Sequence, residues 1–133
     1  MATIRTIQDI KVWHLARRLA KEIYRVSDIG SFRKDFPLRS QIRRASVSVV
    51  SNISEGFERD GNREFIQFLS QAKGSAGEVL GQLHIALDLR YCDDATFRGL
   101  RATAIQTLRM LDNLIMYLRD SGLKGKKFNR KEQ

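Results

Sequence analysis

Apolar residues return at helical spacing in four stretches of the chain, and nowhere do they alternate as a half-buried strand requires. In the first stretch, about residues 9–27, Val12, Leu15, Ala16, Leu19, Ile23 and Val26 share one face. In the second, about 37–57, the face is Leu38, Ile42, Ala45, Val49, Ile53 and Gly56. The third, about 63–90, carries Phe65, Phe68, Leu69, Ala72, Ala76, Val79, Leu80, Leu83, Ala86 and Leu87. The fourth, about 95–120, carries Phe97, Leu100, Ala104, Leu108, Leu111, Ile115 and Leu118. Turn residues separate them. Gly30 reads as a helix stop, and Pro37 suits a first helical turn, where its missing N–H costs nothing. Asp60-Gly61-Asn62 is a turn signal, Cys92-Asp93-Asp94 a tight connection with an acidic N-cap, and Gly122 a stop. The expected fold is therefore all-α: an antiparallel up-down-up-down four-helix bundle over residues 1–122. Residues 123–133 lack the apolar content to order themselves and read as a basic, solvated tail.

Two helices have more on them than one core needs. On the second, Val47 and Val50 point away from the core face, in register with Arg43 and Ser54. A helix apolar on two sides is buried on two sides, and one small domain of 133 residues has few layers to do it. On the third, Gly74, Gly77 and Gly81 lie on a stripe with Ser70, about 150° from the core. Each interior glycine costs a helix roughly 1 kcal/mol relative to alanine. Close approach by another helix or by a ligand would offset that cost, and approach between subunits is the favoured reading. Arg43, Val47, Val50, Gly74, Gly77 and Gly81 are thus the expected surface for a second copy. Arg44 and Glu55 share a third stripe but stand roughly 16 Å apart along the axis. They cannot pair with each other, and both are expected in structural ion pairs with other helices.

Charge adds a candidate partner. The formal net charge is +9 and the isoelectric point ≈ 10.2, which favours anionic partners, nucleic acid first. Lys11, Arg17, Arg18, Lys21 and Arg25 oppose the core on the first helix, with Glu22 the one acid among them. Lys124, Lys126, Lys127, Arg130 and Lys131 crowd the tail. Catalytic chemistry is not indicated. Neither His14 nor His84 sits in a Glu-x-x-His pairing, and Cys92 is the single cysteine. The glycines near Gly74 follow no strand and precede no Gly-Lys-Ser/Thr, so they are no phosphate loop. The acids Glu55, Glu58, Asp60, Glu64 and Glu78 fall into no selected pair. The expectation is a non-enzymatic protein without metal or cofactor. With no apolar run near the roughly 20 residues a bilayer demands, and no signal peptide before the first helix, it is expected in the cytoplasm.

Three segments resemble a known family: Ile10 to Trp13 (IKVW), Gln41 to Gly56 (QIRRASVSVVSNISEG), and Glu64 to Val79 (EFIQFLSQAKGSAGEV). Together they are similar, over about residues 8 to 92, to the small bacterial helical proteins first noticed in intervening sequences of 23S ribosomal RNA genes. The resemblance implies a homopentamer of antiparallel four-helix bundles with a basic surface. It also implies a distant relation to the accessory pentamer that assists reverse transcriptases in diversity-generating retroelements. Val50 stands where that family usually has proline, and Leu80 where it often has glutamate. Two roles follow as expectations: a scaffold contacting RNA or DNA phosphates with little sequence readout, or an adaptor for a nucleic-acid enzyme.

Overall fold

The computed structural model describes residues 4–121, all helix and connections with no strand among them. A 3-10 turn, Ile7–Asp9, leads into α1 (Lys11–Val26). A short α2 (Gly30–Lys34) precedes α3 (Phe36–Glu58), α4 (Asn62–Asp88) and α5 (Asp94–Asp120). The four long helices form a helical bundle in a closed ring: α1 on α3, α3 on α4, α4 on α5, and α5 back on α1. No helix among the described residues is long and apolar enough to cross a membrane.

Two helix starts and one helix end have a clear local cause. The Asp35 carboxylate accepts the Leu38 N–H at 3.1 Å and caps α3, with Pro37 in its first turn. Asp93 does the same for α5, accepting from the Thr96 N–H at 2.7 Å. That bond holds the Asp93 carboxyl below its ordinary value. At the end of α4, Arg90 takes a left-handed φ of 63°. The Tyr91 N–H then reaches back to the Ala86 carbonyl at 2.8 Å, and the Arg90 N–H to Leu87 at 2.9 Å. This is the paired closure of a Schellman ending, made here without glycine.

The apolar faces read from the sequence turn inward. All six residues of the α1 stripe are buried. So are the six of α3, where Ser46 and Phe57 join them. Phe68, Leu80, Leu87 and Leu108 sit half-buried at the rim. The core divides into two halves along the bundle. One holds Ile4, Ile10, Phe57, Phe65, Leu111 and Leu118, and the other Leu19, Ile23, Phe32, Leu83 and Phe97 among others.

Two sequence expectations need correction. Gly30 does not stop the first helix, which ends at Val26 with Ser27 as its cap. Gly30 instead opens α2 with φ 57°. The presumed connection is itself part of the core, because α2 carries Phe32, 1% exposed, into the bundle. The Phe32 ring stacks on Tyr91, centroids 5.1 Å apart. At Val50, where no proline stands, α3 runs through unbroken.

Along the α3–α4 seam, Gln41 meets Gln82, Ser48 meets Ser75 at 2.9 Å, and Gly56 meets Phe65 and Phe68. Along α1–α3, the Trp13 indole N–H donates to Ser54 Oγ at 3.0 Å, and Arg43 reaches Ser27. Asn62, opening α4, donates to the Leu118 carbonyl near the end of α5 at 3.3 Å. Buried hydroxyls are satisfied locally: Ser46 donates to the Arg43 carbonyl and Thr107 to the Thr103 carbonyl.

Gly56 sets the closest approach. A Cβ there would lie 2.8 Å from Phe68 Cβ and 2.9 Å from Phe65 Cδ1. Gly56→Ala is therefore expected to destabilise the fold by about 1–3 kcal/mol through overpacking, measured as a lowered urea midpoint at unchanged m-value.

Candidate nucleic-acid interface

Outward from the core, α1 presents a cationic face. Lys11, Arg17, Arg18, Lys21 and Arg25 are all exposed, as the 3.6-residue period requires once Val12, Leu15, Leu19 and Ile23 point inward. Arg17 lies over the Trp13 ring, 4.6 Å from its centroid. Arg25 is bound by Glu22 one turn back. That hydrogen bond lowers the Glu22 carboxyl below its ordinary value and raises Arg25 above its own. Arg18, Glu22 and Arg25 line a shallow hollow with Ala95, Thr96, Gly99 and Thr103 of α5. Four further exposed arginines, Arg98, Arg101, Arg109 and Arg119, lie on α5. Sequence reading passed over them because they are spread between apolar positions rather than clustered. The tail residues Lys124, Lys126, Lys127, Arg130 and Lys131 lie outside the described residues.

A second cationic cluster forms where α1, α2 and α3 meet. Asp28 stands 3.8 Å from Arg33, 3.7 Å from Arg39 and 3.8 Å from Arg43. Arg43 is the best fixed of the three. Its Nε donates to Ser27 Oγ at 2.7 Å, a second nitrogen donates to the Tyr24 carbonyl at 3.2 Å, and its plane lies 4.5 Å from the Tyr24 ring centroid. Arg39 Nε is buried without a partner. Only the charges of the α1–α3 connection, Asp28 and Arg33, could have flagged this cluster in the sequence.

The residues expected at a subunit interface scatter. Arg43 turns into the α1 seam instead, because 100° per residue points it toward Tyr24 while Arg44 faces outward. Val50 packs against the chain's own core, while Val47 is 41% exposed. Gly74, Gly77 and Gly81 have open space where a Cβ would be. Among the described residues, Arg44 and Glu55 form no interhelical ion pair. Arg44 donates to Ser40 Oγ at 3.0 Å, one turn back. Glu55 pairs at 3.0 Å with Arg59 of its own helix, the shorter reach.

Among the described residues no three His, Cys, Asp or Glu side chains gather as a metal site would need. His14 contacts the Gln8 carbonyl and His84 lies edge-on to Phe97. Burial, aided by Asp93 and Asp94, pushes the Cys92 thiol up, away from a reactive thiolate.

The family model of the 23S rRNA-intervening sequence protein matches residues 8–113. The chain belongs to that family. A solved structure similar to this member of the family is a protein with unknown function from the S23 ribosomal protein family of Bacteroides thetaiotaomicron. It is 21% identical, with a TM-score of 0.72 over 78% of this chain and 97% of the other. At that identity the likeness speaks for the helical fold. No curated protein is similar to the chain in sequence.

In this family member, the corner beside the second cluster is held by Tyr91. Its hydroxyl donates to Asp35 at 2.8 Å, and that bond, with desolvation, raises the phenol above its ordinary 10.0. A raised folded value means the neutral phenol stabilises the fold. The contribution is complete below the unfolded value and fades as pH climbs through the folded one. Tyr91→Phe should therefore melt below wild type at pH 8, and the gap should narrow above about pH 10, read by thermal melts across the alkaline range.

Proposed function

We propose that the protein is a non-enzymatic, oligomeric scaffold that holds RNA or DNA through phosphate contacts, with little sequence readout. The observation that carries the reading is the outward face of α1: five exposed cations against one acid, and that acid already engaged by Arg25. Phosphate contacts supply affinity without sequence information, which base-edge contacts would have to add. Repetition of the face around an assembly would multiply weak contacts by avidity.

The assembly we have in mind is a ring of antiparallel four-helix bundles, five copies by family resemblance. Support for antiparallel order comes from the seams. As numbers rise along α3 from Gln41 through Ser48 to Gly56, their partners on α4 fall from Gln82 through Ser75 to Phe68. Support for a second copy comes from α4, whose exposed Gly74, Gly77 and Gly81 leave backbone open beside Ile85, 47% exposed. Glycine lets another helix come close where a side chain would hold it off.

Two measurements test this. Neutralising roughly four phosphates predicts that duplex affinity falls about a hundred-fold between 50 and 200 mM salt. Lys21→Glu should weaken binding and flatten that slope, and affinity indifferent to salt sinks the reading. Gly77→Leu, fitting the open space of the single chain, should leave the helical signal intact and lower the mass seen by light scattering. An unchanged mass would remove α4 from the contact.

A further inference from the structure

At the foot of α3 lies a hollow lined by Tyr24, Phe36, Arg39, Arg43, Arg44 and Val47. Its composition is unusual for a solvated surface. Phe36 is 69% exposed and Tyr24 44% exposed, and both stand among guanidinium groups. An exposed phenylalanine has no polar tip to justify its place in water.

The cations are under-neutralised. Asp28 is shared by Arg33, Arg39 and Arg43 at 3.7 to 3.8 Å, beyond hydrogen-bond range for all three. Among the described residues, Arg44 donates to the Ser40 hydroxyl and to no acid. Arg39 Nε is buried and has no acceptor among the described residues.

The geometry is also fixed before any ligand arrives. Ser27 and the Tyr24 carbonyl hold Arg43, and the Tyr24 ring supports its plane. Asp35, which precedes Phe36, is held by the Leu38 N–H and by Tyr91. Phe32 anchors α2 in the core just behind. The Phe36 ring is thus presented outward from a braced corner.

We propose that this hollow seats an unpaired nucleotide segment of a nucleic-acid strand, its phosphate on Arg39, Arg43 and Arg44 and its base on the Phe36 ring. The proposal rests on the phosphate-binding reading above and narrows it to unpaired strands. Inside a duplex the base faces are stacked on one another and cannot reach an aromatic side chain, whereas a free strand offers them. Stacking of this kind accepts any base, because every base has a π-face. The ring and the guanidiniums recognise base and phosphate, which ribose and deoxyribose strands share.

The test uses the full chain and fluorescence anisotropy with labelled oligouridine and oligodeoxythymidine of about twelve nucleotides, beside a duplex of equal length. Phe36→Ala removes an exposed ring, so the fold should persist, checked by thermal melt. The expected result is a loss of roughly ten-fold in affinity for single strands, with duplex affinity changed by less than about two-fold. Loss on only one of the two strands still supports the site and assigns the sugar. An equal loss on strand and duplex, or no loss on either, overturns it. So does a drop in the mass of Phe36→Ala by light scattering, which would make the hollow a seat for a second copy. If Lys21→Glu weakens every oligonucleotide while Phe36→Ala weakens none, the scaffold reading stands and the nucleotide seat falls.

Discussion

At the α3–α4 seam the two helices press together where one of them has no side chain. Gly56 lies against the Phe65 and Phe68 side chains at a distance no Cβ would allow. Ala45, Ser48 and Ser75 on the same seam are also small. Small residues bring the backbones close, and the phenylalanines then fill the space that remains. The Ser48–Ser75 hydrogen bond fixes the register in which this can happen. A slide of one turn would drive Phe65 into a residue with a Cβ. The other helices take their positions from this pair, with α1 closing one side through Trp13 and α5 the other through Asn62.

How far the sequence discloses this fold depends on length and on polarity. The long helices are legible because sixteen residues or more establish a period, and apolar residues at that period have one way to be buried. The five-residue α2 is too short to show a period, so Phe32 looks like a loop residue although it is among the most buried side chains. Ser46 and Thr107 are missed for a different reason. Hydropathy ranks a hydroxyl as polar, yet a helical serine or threonine can return its hydrogen bond to its own preceding turn and then enter the core freely. Val50 errs the other way. It is apolar and off the main stripe, which a flat wheel counts as outward. A bundle wraps its neighbours around more than half of each helix, and α1 covers that flank.

Charge was legible as a face and not as a cluster. The α1 cations follow from the wheel alone, since everything opposite a core stripe meets water. The Asp28 cluster does not, because it joins residues from α1's end, α2 and α3 that only the folded corner brings together. Arg43 shows the limit most plainly. Its neighbour Arg44 reads identically in sequence, yet one residue's rotation places Arg43 over Tyr24 and leaves Arg44 to Ser40.

The Trp13 contact has an optical consequence. The chain contains one tryptophan, its indole nitrogen bonded to Ser54 across the α1–α3 seam and its ring face covered by Arg17 of the cationic surface. Tryptophan emission, excited to the red of the three tyrosines, therefore comes from a single indole that touches the interior seam on one edge and an exposed guanidinium on its face. Loosening of the seam and withdrawal of Arg17 toward an anion alter different sides of the same chromophore. An unlabelled sample thus carries its own spectroscopic readout of both folding and surface occupancy.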